Sequence, residues 1–203
     1  MNNIKSAFER FFRLYNKFVL QPDNDTLFNL LNAIHSLNDR LDNKSDKFFK
    51  NNEFISLKAI RNLFHHQEEL INELKIISFR DIPNATSDLL YVCLIPNNLV
   101  EIAINGIGKE YREKERKIIN LTFHWYNTVV NIYPAIFNFA VSVFEKSENL
   151  NIDFDCEEYL MFKDSYDYET NNGFSHRVTG KISCGPNDVD KVIKIVFHLD
   201  DKQ

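Results

Sequence analysis

The chain is poor in cysteine, and the little it has forms no pattern that does chemistry. Cys93, Cys156 and Cys184 are the three cysteines of 203 residues. They are odd in number, far apart, and form no C-x-x-C pair, so neither a zinc knuckle nor a disulfide framework is indicated. Reduced, buried thiols in a reducing compartment are the expectation. Positive charge is also short: 24 Lys and Arg stand against 29 Asp and Glu, a formal net charge of -5. Such a chain is not coated for gripping long duplexes, although a small basic cleft is compatible with it. No P-loop, G-x-G-x-x-G or G-x-S-x-G occurs, which leaves nucleoside triphosphate hydrolysis and serine-hydrolase chemistry without support. Long apolar runs are missing too. Lys5, Glu9, Arg10, Arg13 and Lys17 break up the N-terminal segment, so it is no secretory signal. The most apolar tract, Trp125 to Phe144, is interrupted by Asn127, Asn131, Pro134, Asn138 and Ser142, and reads as a buried helix rather than a membrane span. A cytoplasmic protein is expected. No internal repeat or low-complexity run is present.

What the chain has in quantity is phenylalanine, 18 residues, which implies a bulky aromatic core, an apolar interface, or both. The length suits one domain, or one domain with an appendage. Ile4, Ala7, Phe8, Phe11, Phe12, Leu14, Tyr15 and Phe18 recur at helical spacing and predict a first helix ending near Gln21-Pro22. Asp23 or Asn24 can cap a second, with Leu27, Leu30, Leu31, Ile34 and Leu37 on its apolar face. A polar connector leads to a third helix over about Ser56 to Ile77. Leu89 to Ile95 reads as either a short strand or a buried helical turn. A short helix over Asn98 to Asn105 is followed by the break NGIG and a long helical tract from about Lys109 to Phe144, kinked or ended by Pro134. After Leu150 the pattern alternates weakly, turn residues accumulate, and KVIKIVFHL is β-branched. The expected architecture is mainly α: a helical bundle over 1–150 and a small strand-containing α+β or β extension over 151–203.

The third helix carries the candidate chemistry, in the stretch SLKAIRNLFHHQEEL. Advancing about 100 degrees per residue from Arg61 places Leu57, Ile60, Leu63, Phe64, Leu70, Ile71 and Leu74 on one apolar arc. Arg61, His65, Lys58, Glu69, Asn62 and His66 then share the polar face. Arg61 and His65 are one turn apart, as are Asn62 and His66, so each pair can touch. Asn62 can hold the His66 ring by a hydrogen bond, and the planar fork of Arg61 suits a phosphate. Histidine moves protons near neutral pH, and arginine stabilises charge on non-bridging oxygens, so the set fits phosphodiester chemistry. Metal binding through His65 and His66 with His124, His176 or His198 is disfavoured, because adjacent helical histidines diverge by about 100 degrees.

RNLFHH resembles the HEPN signature, in which an arginine, a polar residue, three further residues and a histidine lie on one helix of an all-α bundle. Arg61, Asn62 and His66 match it position by position. The resemblance covers about residues 1 to 147 and implies a homodimer whose two motifs face each other across a cleft. It further implies a metal-independent endoribonuclease, as in toxins and phage-defence proteins, with RNA as substrate, no cofactor and a 2′,3′-cyclic phosphate product. On this resemblance Arg61, Asn62 and His66 are catalytic, with His65 and Lys58 as supporting contacts to phosphate. An antitoxin or nucleotidyltransferase partner is also implied. Some HEPN toxins carry a modifiable tyrosine two residues beyond the histidine; Glu68 stands there instead, so any antitoxin is expected to act by binding. Other members keep the fold as a non-catalytic dimerisation, nucleotide- or RNA-binding module. Elsewhere, KEYREKERK reads as a solvated helical face, FHWYN as core or interface packing, and His35 as a residue bordering the same cleft at most.

Overall fold

The structure, a computed structural model, describes residues 2–82, 84–188 and 190–192. It is mainly α with a small antiparallel sheet. Helix α1 (Asn2–Leu20) turns at Gln21-Pro22 into α2 (Asn24–Arg40). Asp23 is the cap: its Oδ1 accepts from the Thr26 amide at 2.7 Å while Thr26 Oγ1 accepts from the Asp23 amide at 3.0 Å. This reciprocal box satisfies donors that a helix start leaves bare. The two helices pack along Phe8, Phe11, Phe12, Phe18, Leu27, Leu30, Leu31 and Ile34, all buried.

Helix α3 (Asn52–His66) is capped by Asn51 and packs against α2 and three later elements: α4 (Asn97–Asn105), α5 (Lys109–Thr122) and α6 (Tyr133–Asn149). Much of the phenylalanine meets where α1, α3 and α6 converge. Phe139 lies 5.0 Å from Phe48 and 5.9 Å from Phe54 between ring centroids. The expected helix to Ile77 stops at His66. A 3₁₀ turn over Glu68–Glu73 follows, then strand β1 (Lys75–Ser78). Ile71 and Leu74 are still buried, but through the turn rather than through a continuing helical stripe. The β-branched Ile76-Ile77 pair is better served by a pleated ladder than by a crowded helix.

That ladder is the sheet. Strand β2 (Ala85–Ser87) is followed by β3 (Tyr91–Pro96), which resolves the ambiguity of Leu89 to Ile95 in favour of a strand. Val92, Cys93, Leu94 and Ile95 are all buried, which explains the absence of alternation. The order is β1-β3-β5-β4, where β4 (His124–Tyr126) and β5 (Val129–Asn131) form a hairpin. The hairpin corrects the long helical tract expected over Lys109 to Phe144. Asn127 and Thr128 supply a two-residue turn, and Val129-Val130 prefer the ladder. Pro134 neither kinks nor ends a helix; it sits in the first turn of α6, where a missing N–H costs nothing.

The weakly alternating stretch after Leu150 divides: residues 151–156 form no regular element, and the rest opens a helix, α7 (Glu157–Asn172), ended by Gly173 in the left-handed conformation. Its Tyr159 and Phe162 pack on Phe12 of α1. Strand β6 (Ile182–Cys184) then pairs with β2. Asp88 holds this return: it accepts from the Thr179 amide at 2.5 Å, Thr179 Oγ1 at 2.9 Å and the Gly180 amide at 3.1 Å. Burial alone would raise the Asp88 carboxyl, but these donors outweigh it and hold it below its ordinary value. Most of KVIKIVFHL, including His198, lies outside the described residues. Among the described residues no helix is long and apolar enough to cross a membrane.

Candidate functional site

Local chemistry explains why α3 presents its polar residues together. Asn51 Oδ1 accepts from the Phe54 amide at 2.7 Å and starts the helix. Leu57, Ile60, Leu63 and Phe64 are buried and orient it. The helix stops at Gln67, whose amide donates to the Leu63 carbonyl. His65 and His66 therefore stand in the last turn. Both are exposed, and their rings meet edge-on at 5.4 Å and 88°. Among the described residues His66 makes no hydrogen bond or ion pair, so its ring nitrogens are unengaged.

The polar face divides into two sides. Arg61 and Asn62 are half-buried. Arg61 turns toward α2: its Nε donates to Asn32 Oδ1 at 3.0 Å, and its Nη1 donates to Asn62 Oδ1 at 3.3 Å. Asn62 is thus tied to Arg61, and no hydrogen bond joins it to His66. His35, on α2, lies within the influence of Arg61 and Lys58, and its Nδ1 is 3.1 Å from Asp39. Burial lowers the His35 pKa, the cationic Arg61 and Lys58 push the same way, and Asp39 opposes them.

The other side opens into a cleft of about 300 Å³ between α3 and the α4–α5 corner. Lys58, Asn62, His66 and Gln67 contribute from α3 and its end. Ile102, Ile107, Tyr111 and Glu115 face them. Arg61, His65 and His35 are not among the lining residues. Of the five site residues expected from the sequence, three line the cleft and two lie outside it. Glu115 and Tyr111 went unnoticed because they fall inside KEYREKERK. Part of that reading holds: Lys109, Glu110, Glu113, Lys114 and Lys117 are exposed. Yet Tyr111, Glu115 and buried Ile119 recur every fourth residue, and that stripe was the available signal.

Glu115 has an unusual environment. Its side chain is 13% exposed, and Oε1 lies 3.3 Å from Lys58 Nζ. Its Oε2 is shut off from water and, among the described residues, accepts no hydrogen bond. A carboxylate oxygen left in that state costs about 1–3 kcal/mol relative to a satisfied one. Tyr111 and Ile102, 58% and 43% exposed, form an apolar lip beside it.

His124 and His176 lie elsewhere. His124 sits against Gly180, and His176 stacks on Tyr166. Among the described residues no group of three or more His, Cys, Asp or Glu is placed to hold a metal ion. No family model, curated protein or solved structure matches the chain.

Proposed function

We propose that the α3 cleft is an RNA-cleaving site of HEPN type, working in a homodimer as a metal-independent endoribonuclease. One observation carries the reading. An unengaged, exposed imidazole, His66, borders a cleft together with Asn62 and Lys58, and Arg61 stands on the same helix. In this reading His66 removes the proton of a 2′-hydroxyl or protonates the leaving 5′-oxygen, and Arg61 stabilises the crowded phosphorus centre. The attack of the 2′-oxygen expels the 5′-oxygen and leaves a 2′,3′-cyclic phosphate. Within one copy Arg61 points toward α2 and His66 toward the cleft, so a second copy across a two-fold axis is what brings the two side chains to one phosphate. His65, exposed beside His66, and Lys58 are supporting contacts to phosphate. Such an activity would suit a toxin or defence protein acting in the cytoplasm.

A second reading has its own support. Arg61 is hydrogen-bonded to Asn32 and Asn62, as a residue with a purely structural duty would be. The chain would then be a HEPN-like dimerisation or RNA-binding module without turnover. Incubating single-stranded RNA with the protein in EDTA separates the two. Cleavage that falls about a hundredfold or more in a folded His66→Ala variant supports the enzyme. Binding without cleavage, or cleavage unchanged in that variant, removes it. Growth arrest on expressing the wild type but not His66→Ala would support a toxin.

A further inference from the structure

Beside the cleft stand a carboxylate with one sheltered oxygen that has no donor among the described residues, a cation next to it, and an exposed ring one turn away. Ionised Glu115 only accepts. Its Oε1 faces Lys58, and its Oε2 has no partner. Lys58 Nζ, a donor, lies 3.3 Å from Oε1, and Oε2 is the second acceptor of the same carboxylate, so that the order becomes one donor followed by two acceptors once Oε2 turns toward the cleft. Among the four RNA bases one edge is complementary to that order. Guanine presents the acceptor O6 followed by the donors N1–H and N2–H. Uracil and adenine offer a single donor on that edge, and cytosine offers one donor followed by two acceptors. Tyr111 lies four residues before Glu115 on α5 and therefore on the same face, where it can stack on a base.

We propose that Lys58, Glu115 and Tyr111 form a guanine-reading subsite, with the Glu115 carboxylate on N1–H and N2–H, Lys58 on O6 and Tyr111 against the ring. The proposal rests on the RNA reading above and deepens it; it moves Lys58 from phosphate to base. The terminal torsion of a glutamate is soft, so Oε2 can turn from its sheltered position toward the ligand. Base recognition would relieve what the free protein leaves unsatisfied, which is how a polar site discriminates against bases lacking the matching donors. Lys58 and His66 are two turns apart on α3, about 12 Å along the axis. The guanine read is therefore displaced from the bond that is cut, and cleavage falls at a fixed offset from it.

The test uses the full chain and 2′-O-methyl oligouridylate with or without a single 2′-O-methylguanosine, strands that no 2′-hydroxyl attack can cut. The guanosine strand is expected to bind about tenfold more tightly or better, and Glu115→Gln, which offers one acceptor and one donor, should erase that preference. Circular dichroism and a melting curve confirm that the variant is folded. Equal binding of both strands, no binding of either, or a preference that survives Glu115→Gln overturns the subsite. Cleavage of unmodified RNA is scored separately. A guanine preference with no cleavage keeps the subsite and removes the nuclease; cleavage at sites unrelated to guanine keeps the nuclease and removes the subsite.

Discussion

Two histidines border cavities of similar size and have opposite fates. His66 borders the cleft of about 300 Å³ and is unengaged. His176 borders one of about 250 Å³ and has both ring nitrogens and one face engaged. Its Nδ1 is 2.7 Å from Glu169 Oε2, its Nε2 is 3.2 Å from Thr170 Oγ1, and its face stacks on Tyr166 at 3.6 Å. Carboxylate, imidazole and hydroxyl in that order imitate a nucleophile relay. However, the Thr170 hydroxyl also donates to the Tyr166 carbonyl of its own helix. The cluster ties the chain after Gly173 to α7, and Arg177 continues the tie through Glu145 at 2.8 Å. An imidazole with all its partners in place is a structural part; one without them is available for a substrate.

The largest expected effect tests that contrast directly. His66→Ala should lower RNA cleavage about a hundredfold or more, while His176→Ala leaves the rate unchanged; equal losses in both would end the distinction. Next comes Gly180→Ala. Gly180 has φ +69, and an added Cβ would lie 2.5 Å from Pro134 Cγ and 2.8 Å from His124 Cε1. Denaturant unfolding should show a loss of about 2 kcal/mol or more, since both the left-handed backbone and the close approach forbid a side chain. His176→Ala itself should cost about 1 kcal/mol in the same assay, the net worth of its hydrogen bonds. An unchanged midpoint would deny His176 its structural duty.

The smallest effect is a pH dependence. Burial lowers the His124 pKa below 6.5, with Asp88 opposing weakly. The unfolded chain therefore binds more protons than the folded one as the pH drops past 6.5. Stability should fall as pH is lowered from about that value toward the folded pKa. His35 is shifted the same way and acts in the same sense. Replacing His124 with Gln should flatten the slope of stability against pH, and an unchanged slope would deny His124 that role. Asp88 contributes at lower pH: its depressed carboxyl stabilises the fold above 3.8 and loses that contribution as acid protonates it.

Much of the helical part was legible because its signals are local. The period of Phe8, Phe11, Phe12 and Phe18, the Asp23 cap and the NGIG break each act within a few residues. The hairpin at Asn127-Thr128 was not legible, because an apolar tract with aromatic residues satisfies helix and strand patterns alike until a neighbour supplies the ladder. Here β3 supplies it through Leu94, Ile95 and Pro96. The end of α3 at His66 was hidden for the same reason: Leu70, Ile71 and Leu74 keep helical spacing, but a 3₁₀ turn carries that stretch and buries Ile71 and Leu74. At the site, Lys58, Asn62 and His66 could be placed on one face by counting. That Arg61 would be drawn to Asn32, a residue 29 positions earlier, could not.

By itself the sequence determined that one helix would carry Arg61, Asn62, His65 and His66 on a polar face, because 3.6 residues per turn is a property of the backbone alone. The tertiary structure decided which of those side chains would be free. Packing α2 on one flank engaged Arg61, and packing α5 on the other brought Glu115 to Lys58. Hydrogen-bonding partners distant in the chain are chosen by the mutual burial of apolar faces, and no local pattern encodes which polar residues that burial brings within reach.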